Sequence, residues 1–214
     1  MSQRITALKP HIRNPGLVRI FVDKEHTFTV KLIDSADLHT GMALTDDRMA
    51  LLQRKHELEE AYLRSVRYLA YRPRSRKEVE LHLNKKKYSP ETVAMTIRRL
   101  FESQLIDDGS FADWWIAHRC RLKPRSAYAL RFELLQKGID EDIISTALAT
   151  IDDGEMAIAL LQSNRKQWRR LDGHKKRQKI LSFLNRRGFG YDIAKSAYEE
   201  YIQKSEDQPD GGGV

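Results

Sequence analysis

Two pairs of adjacent aspartates are the side chains of this sequence that most resemble reactive groups. Asp107-Asp108 and Asp152-Asp153 each belong to the same short stretch, Ile-Asp-Asp-Gly. Paired carboxylates serve elsewhere as metal ligands or as an acid–base couple. Each pair also lies where a new helix is predicted to begin, and aspartate is a preferred residue at the N-cap. The pattern therefore favours helix capping over catalysis.

Cys120 and two adjacent tryptophans are further candidates for chemistry. Arg119 and Arg121 flank the cysteine, and nearby positive charge lowers the pKa of a thiol and activates it. The simpler interpretation is a small, half-buried side chain. Trp114 and Trp115 can stack on nucleic-acid bases, although packing of at least one of them into a core is the simpler interpretation.

The sequence contains no recognisable catalytic or cofactor motif. Its seven histidines are scattered, without the spacing of a zinc site, and no glycine-rich phosphate loop is present. We therefore predict that the protein is not an enzyme and that it uses no metal and no cofactor. The single cysteine fits a reducing cytoplasm. The start of the sequence lacks the apolar core of a signal peptide, and no apolar run approaches about 20 residues, so we expect a cytoplasmic protein without a membrane span.

Positive charge is concentrated in two stretches of the chain. The net charge is +8, but residues 165–187 carry ten Lys and Arg against one acid, and residues 64–87 carry nine against two. The remainder of the chain is therefore acidic. This distribution favours a polyanion or an acidic protein groove as partner, whereas the alternative is that both stretches are solvated helix faces.

Basic residues also recur around two prolines. Arg72 and Arg74 flank Pro73, and Lys123 and Arg125 flank Pro124. Cations at helix C-termini complement the helix dipole, but Arg74 and Arg125 precede helix starts, where positive charge is unfavourable. The candidate partner-binding residues are Arg72, Arg74, Arg76, Lys123, Arg125, Arg131, Lys137, Arg169, Arg170, Lys175, Lys176, Arg177, Arg186 and Arg187.

Most of these basic residues lie within an internal repeat of the sequence, and the fold of that repeat determines where they are placed. Residues 73–97 and 124–148 both open with Pro-Arg-Ser, at a spacing of 51, and their apolar positions coincide. A diverged third copy follows about 50 residues later, with apolar residues at Ile180, Leu184, Phe189, Ala194 and Tyr198. Repeats of this length indicate stacked supersecondary units, each too small to bury its own apolar face.

Each unit is predicted to contain three helices. In unit one, Ser75 and Glu78 form a capping-box pattern, and Ser89 precedes a proline at the start of the third helix. In unit two, Ser126 and Asp140 are the predicted caps. The first helix of unit three is predicted over residues 155–168.

A different pattern precedes the repeats. Residues 1–16 have no clear periodicity and are predicted to be flexible. Residues 17–22 and 27–32 are β-branched and aromatic, which predicts a β-hairpin covered by a further strand or a helix. A helical pattern runs from Asp46 to Tyr71, and its apolar stripe pauses at residues 55–57.

The predicted fold class is mainly α, with tandem three-helix repeats and a small N-terminal β-hairpin module. We divide the chain into an N-terminal hairpin-plus-helix module (1–55), three repeats (56–104, 105–150 and 151–204) and a disordered tail (205–214). Only 11 glycines and 6 prolines are present, which favours long helices over a turn-rich β-fold.

Several blocks of the sequence resemble the RecX regulatory protein family. They comprise residues 68–79, 105–112, 123–126, 135–139 and 186–189, in that order, within a resemblance that covers about Leu58 to Tyr201. The resemblance implies an elongated, curved array of repeats. It also implies binding in the groove of the RecA–single-stranded DNA filament, and modulation, chiefly inhibition, of RecA recombinase, ATPase and coprotease activities.

The partners expected on this basis are the RecA filament and single-stranded DNA, contacted directly or through RecA by a monomer. The alternative is a stand-alone DNA-binding module that acts through its basic helical face. Unit three departs from the family pattern, because Lys175, Lys176 and Arg177 replace Pro-Arg-Ser.

Overall fold

The structure, a computed structural model, describes residues 3–207, and these form two compact units that meet in sequence at Asp107 and Asp108. The first unit contains β1 (Gln3–His11), β2 (Asn14–Val22), β3 (Glu25–Lys31), a 3-10 turn (Leu32–Ser35), β4 (Ala43–Leu44), α1 (Asp46–Leu69), α2 (Arg76–Lys85) and α3 (Pro90–Glu102). The second contains α4 (Asp108–Leu122), α5 (Ala127–Gln136), α6 (Glu141–Leu148), α7 (Asp153–Ser163), α8 (Arg165–Trp168), α9 (Gly173–Asn185) and α10 (Tyr191–Asp207).

The four strands form one antiparallel sheet in the order β3-β2-β1-β4. The predicted hairpin is confirmed as β2 and β3, and Ile20, Phe28 and Val30 are buried on the face that also contacts Leu52 of α1. The prediction that residues 1–16 are flexible was wrong for residues 3–16, because β1 pairs with β2 along most of its length, and residues 1 and 2 lie outside the described residues. Only Ile5 of β1 is buried, and register shifts interrupt the strand, so it lacks the alternation that identifies a strand in sequence.

Helix α1 is continuous over 24 residues and serves two cores. The Thr45 hydroxyl accepts a hydrogen bond from the Arg48 amide and caps its start. The apolar stripe pauses at residues 55–57 without breaking the helix. There the Nδ1 atom of His56 accepts a hydrogen bond from the Thr29 amide of β3 at 3.0 Å. At this point α1 therefore contacts the sheet through a polar side chain.

Repeat 1 consists of the second half of α1 with α2 and α3. Its core contains Ala61, Val79, Leu83, Val93, Leu100 and Ile106. The predicted caps are present, because Ser75 accepts from the Glu78 amide at 3.2 Å and Ser89 accepts from the Thr92 amide at 3.1 Å. A capping serine fixes where each helix begins.

Repeat 2 consists of α4, α5 and α6 around the buried residues Phe111, Ala112, Ile116, Leu130, Leu134, Ile139 and Ile144. Ser126 caps α5 as predicted, and accepts from the Ala129 amide at 3.2 Å. Asp140 lies at the N-cap of α6, but its side chain makes no capping hydrogen bond. Asp140 therefore occupies the predicted cap position, but it does not make the capping hydrogen bond.

Repeat 3 departs from the prediction in its first helix. The expected helix over 155–168 is divided into α7 and α8, because the chain turns at Asn164, whose Nδ2 donates to the Leu160 carbonyl at 2.8 Å. The turn directs Trp168 into the core, where its Nε1 donates to the Leu161 carbonyl at 3.2 Å. The free energy gained by burying the tryptophan therefore offsets the cost of breaking the helix.

The second Ile-Asp-Asp-Gly stretch caps two different helices. Asp152 accepts the amides of Gly154 and Glu155 at the start of α7. Asp153 accepts the Ala127 amide at 2.7 Å and so binds the first turn of α5. The predicted capping role is therefore correct here, and it extends from one repeat to the next.

The predicted disordered tail, residues 205–214, lies only partly within the described chain. The backbone of residues 205–207 continues α10, and residues 208–214 are outside the described residues. Over residues 3–207, no helix has the length and apolar character needed to cross a membrane.

Candidate functional site

The first candidate site, the repeat 1 cluster, is built around a stack of side chains at the junction of α1 and α2. The guanidinium carbon of Arg74 lies 4.0 Å from the centre of the Tyr68 ring. The His82 ring is nearly parallel to the same tyrosine, with centroids 4.1 Å apart and an interplanar angle of 6°. Arg64, Lys85 and Lys86 complete the cluster.

The environment of His82 favours its neutral form over its charged form. Burial lowers its pKa below the ordinary value, and the positive charges of Lys86, Arg64, Arg74 and Lys85 lower the pKa further. The cluster therefore surrounds the Tyr68–His82 stack with cations.

Glutamates neutralise several other basic residues of repeat 1. Arg72 donates from both terminal nitrogens to the Glu78 carboxylate, at 3.1 and 2.9 Å. Arg76 pairs with Glu80 at 3.6 Å along α2. By contrast, the Nε atom of Arg74 is buried and has no hydrogen-bond partner within the described part of the chain.

The second candidate site, the repeat 2 cluster, is built around a carboxylate. The Oε2 atom of Glu133 accepts from the Nε1 of Trp115 at 2.8 Å and from the Nε of Arg119 at 2.7 Å. Its Oε1 atom lies 3.2 Å from the Nε of Arg125. The Arg119 guanidinium and the Lys137 ammonium lie 4.7 and 4.9 Å from the centre of the Trp115 ring. One carboxylate therefore stands among three cations and one tryptophan.

The two clusters occupy the same register of their repeats. Tyr68 and Arg119, Arg74 and Arg125, His82 and Glu133, and Lys86 and Lys137 are pairs of residues separated by 51 positions. An arginine before the second helix and a lysine at its end are common to both clusters. The aromatic stack of repeat 1 is replaced by an ion pair in repeat 2.

Repeat 3 contributes a third set of cations. Lys176 lies 5.8 Å from the centre of the Tyr201 ring, and the Arg187 guanidinium lies 3.9 Å from that of Phe183. Burial lowers the pKa of Arg187, and the neighbouring charges of Arg125 and Arg186 lower the pKa further. Arg187 therefore extends the positive surface of repeat 2 into repeat 3.

Comparison with known proteins agrees with this arrangement. The family models for the first, second and third three-helix domains of RecX match residues 61–100, 107–148 and 152–198. The regulatory protein RecX of Chlorobium phaeobacteroides (strain BS1) is 38% identical over 150 residues, which are 69% of this chain and 90% of that protein. The chain belongs to the RecX family.

Other relatives extend the similarity over most of the chain. The regulatory protein RecX of Bacillus subtilis (strain 168) is 29% identical over 201 residues, which are 92% of this chain and 76% of that protein. A crystal structure of regulatory protein RecX has the same fold, with a TM-score of 0.72 and 23% identity over 92% of this chain and 99% of that one. RecX from Lactobacillus salivarius gives a TM-score of 0.60 at 25% identity, over 69% of this chain and 97% of that one. The predicted family and fold class are confirmed.

The structure brings together only part of the predicted set of binding residues. Arg74 belongs to the repeat 1 cluster, and Arg125 and Lys137 belong to the repeat 2 cluster. Arg131 instead pairs with Glu141 of α6, and Lys123 lines a cleft of about 680 Å³ between repeats 2 and 3. The other predicted cations lie on or next to α2, α8 and α9, and they are Arg72, Arg76, Arg169, Arg170, Lys175, Lys176, Arg177, Arg186 and Arg187.

Prediction from sequence missed the partners of these cations. Tyr68, His82, Arg119 and Glu133 were not among the candidate binding residues, although they position Arg74 and Arg125, and Trp115 was considered only for stacking on bases. The 51-residue register was the signal that could have found them. Extending it five residues before and seven residues after Pro-Arg-Ser aligns Tyr68 with Arg119 and His82 with Glu133.

The structure does not support an activated cysteine. Burial raises the pKa of the Cys120 thiol, whereas the flanking arginines were expected to lower it. One of these, Arg119, binds Glu133 instead. Over the described residues, no group of three or more His, Cys, Asp or Glu side chains is arranged to hold a metal ion.

Proposed function

We propose that this protein is a regulator that docks along the RecA–single-stranded DNA filament and lowers the recombinase, ATPase and coprotease activities of RecA. Membership of a family of regulatory proteins named RecX supports a regulatory role. The observation that carries the proposal is the recurrence of a basic cluster in the same register of repeats 1 and 2. A partner with its own helical repeat presents equivalent acidic or phosphate groups at intervals, and repeated cations match such a partner.

The protein acts in this proposal as a cytoplasmic monomer without catalytic activity of its own. The repeats, which we place at residues 56–104, 105–150 and 151–204, are the docking units. The N-terminal module, residues 1–55, is then an addition to the repeats.

A RecA-driven ATPase and strand-exchange assay tests the proposal. Sub-stoichiometric protein should inhibit both reactions, and the Arg74→Glu/Arg125→Glu double variant should inhibit at least about tenfold less strongly because charge reversal at a docking surface opposes association. Arg74→Gln/Arg125→Gln is a milder variant if reversal disturbs the fold, which circular dichroism reports. Lys195→Glu/Lys204→Glu on α10 changes the same charge at exposed positions and should inhibit as the wild type does. Absence of any effect of the wild type on RecA at every ratio would refute the proposal.

A stand-alone DNA-binding module is the second candidate, favoured by the density of positive charge at residues 165–187. Direct binding of DNA depends steeply on salt, because neutralised phosphates release counterions. Tight binding of DNA across a salt series, with no preference for RecA-coated strands, would support this second candidate over the first.

A further inference from the structure

The two clusters differ in the residue at one equivalent position, which is His82 in repeat 1 and Glu133 in repeat 2. In repeat 2 the carboxylate of Glu133 accepts bonds from Trp115 and Arg119 and lies 3.2 Å from Arg125. An anion thus already occupies the position on which the cations of repeat 2 converge. Such a charge-assisted pair engages Arg119 and Arg125, so repeat 2 attracts an anion from outside less strongly than repeat 1 does.

Repeat 1 lacks this internal anion. Within the described chain, no carboxylate pairs with Arg74, Lys85 or Lys86, and the Nε of Arg74 has no hydrogen-bond partner. The corresponding Nε in repeat 2, that of Arg125, lies 3.2 Å from Glu133. The equivalent position in repeat 1 is that of His82, and because the Nε of Arg74 is buried, an anion from outside would meet the terminal nitrogens of this arginine.

We propose that the repeat 1 cluster binds a phosphodiester group of a single-stranded nucleic acid, at the position that Glu133 fills with its own carboxylate in repeat 2. Arg74, Lys85 and Lys86 supply the charge, and the stacked Tyr68–His82 pair supplies the floor of the site. The role of this site at a RecA filament rests on the proposed function. Its affinity for a single strand can be measured without RecA.

The surroundings of the cluster favour a nucleic-acid strand over an acidic peptide. Tyr71 is 85% exposed and lies three residues before Arg74. An exposed aromatic face beside cations is typical of sites that stack a base and bind its phosphate. Lys87 follows Lys85 and Lys86 directly and extends the positive charge along the chain, which suits the closely spaced phosphates of a strand.

The difference between the repeats provides a reciprocal experiment. His82→Glu places a carboxylate among the cations of repeat 1 and should weaken binding of a fluorescein-labelled oligothymidine by at least about fivefold in fluorescence anisotropy at low salt. Arg74→Gln should also weaken binding, and should reduce the slope of log affinity against log salt by about 1. Glu133→Gln removes the internal anion of repeat 2 and should strengthen binding of the same oligonucleotide.

His39→Glu is the matched control, because it makes the same change in charge at an exposed position of the sheet module. It should leave the affinity for the oligonucleotide within about twofold of the wild type, apart from the general effect of net charge. Circular dichroism checks the fold of each variant. If His82→Glu disturbs the fold, the wild-type protein and Arg74→Gln still test the site.

The pKa of His82 gives a second readout of binding. If the cluster had only a structural role, adding the oligonucleotide would not change this pKa. Lys85, Lys86, Arg64 and Arg74 are the charged groups around it, and a bound phosphate compensates their repulsion. Addition of the oligonucleotide should therefore raise the pKa of His82, measured from its ring protons by NMR. Binding of the oligonucleotide without a change in this pKa would overturn the proposal.

The outcomes for the site and for the proposed function are distinguishable. If His82→Glu abolishes inhibition of RecA but leaves oligonucleotide affinity unchanged, the ligand is a protein carboxylate and the phosphate proposal is overturned. If His82→Glu weakens oligonucleotide binding while the wild type has no effect on RecA, the phosphate site stands and the proposed function fails.

Discussion

Gly188 lies so close to Ser126 that a Cβ atom added to the glycine would be 2.6 Å from the serine hydroxyl oxygen. The same atom would be 2.7 Å from the Cβ of Ala129. Next to this contact the Ser126 amide donates to the Arg187 carbonyl at 3.1 Å. The turn that follows α9 is therefore docked on the start of α5, and it joins repeat 3 to repeat 2 beside Arg125.

Replacing Gly188 by alanine should destabilise the second unit. The φ angle of Gly188 is +90°, which L-residues rarely adopt, and the added methyl group also overlaps Ser126 and Ala129. Each effect costs about 1–3 kcal/mol, and we expect a decrease of at least about 2 kcal/mol in the free energy of unfolding in urea. Gly190→Ala is the matched control, since a Cβ there meets no atom within 4 Å. Equal stability of the two variants would contradict the close contact.

Local signals made most helix starts predictable. Ser75, Ser89 and Ser126 cap their helices as the sequence indicated, because a serine cap and the periodicity behind it depend only on neighbouring residues. The break at Asn164 was not predictable in this way. It depends on the burial of Trp168 against residues distant in sequence, and the propensity of residues 155–168 favours one helix.

The same distinction applies to the candidate site. The sequence alone shows that Arg74 and Arg125 precede helix starts, where positive charge is unfavourable. They are candidates for that reason. Tyr68, the partner of Arg74, lies on α1, and Glu133, the partner of Arg125, lies eight residues further along the chain in α5. Which side chain meets either arginine depends on how the helices and the segments before them pack, which a periodic pattern does not specify.

Glu59 is a buried charge that joins three elements of the first unit. It is 4% exposed, accepts from the Nη1 of Arg99 at 2.6 Å and lies 3.8 Å from the Nζ of Lys31. Glu59→Gln should lower the free energy of unfolding by about 2–4 kcal/mol, because it leaves Arg99 partly buried without its counter-ion. Urea denaturation measures the change.

The neighbouring residue on α1 provides the control for this prediction. Glu60 pairs with Arg64 at 2.8 Å, but its side chain is 47% exposed. Glu60→Gln should therefore cost no more than about 0.5 kcal/mol. A cost for Glu59→Gln as small as that for Glu60→Gln would show that the buried pair contributes little.

Asp153 should make the stability of the second unit depend on pH. Burial raises the pKa of its carboxyl group and the charge of Asp152 raises the pKa further, while the hydrogen bond from the Ala127 amide lowers it. A folded-state pKa above the unfolded value means that the folded protein binds more protons in this range. The contribution of Asp153 to stability is therefore fully present below the unfolded pKa and is lost as the pH rises through the folded pKa.

Asp153→Asn removes this titration while it retains an oxygen that can accept from the Ala127 amide. The stability of the wild type relative to Asp153→Asn should therefore fall as the pH rises through the acidic range, in urea denaturation at several values between about pH 3 and pH 6. Asp152→Asn, which alters the capping carboxylate at the adjacent position, provides the comparison. A difference between wild type and Asp153→Asn that rises with pH would contradict the assignment.

Cys120 should react slowly with thiol reagents in the folded protein. Thiols react as thiolates, and burial raises the pKa of this one, so the reactive form is scarce at neutral pH. We expect reaction with a disulfide reagent at pH 7.5 to be at least about fivefold slower than for the same chain unfolded in urea.

Arg119 does not activate the thiol because its Nε donates to Glu133 at 2.7 Å. Glu133→Gln frees that charge, and a faster reaction in this variant would show that the ion pair, together with burial, keeps the cysteine unreactive. Reaction of the folded wild type as fast as that of the unfolded chain would instead restore Cys120 as a candidate nucleophile.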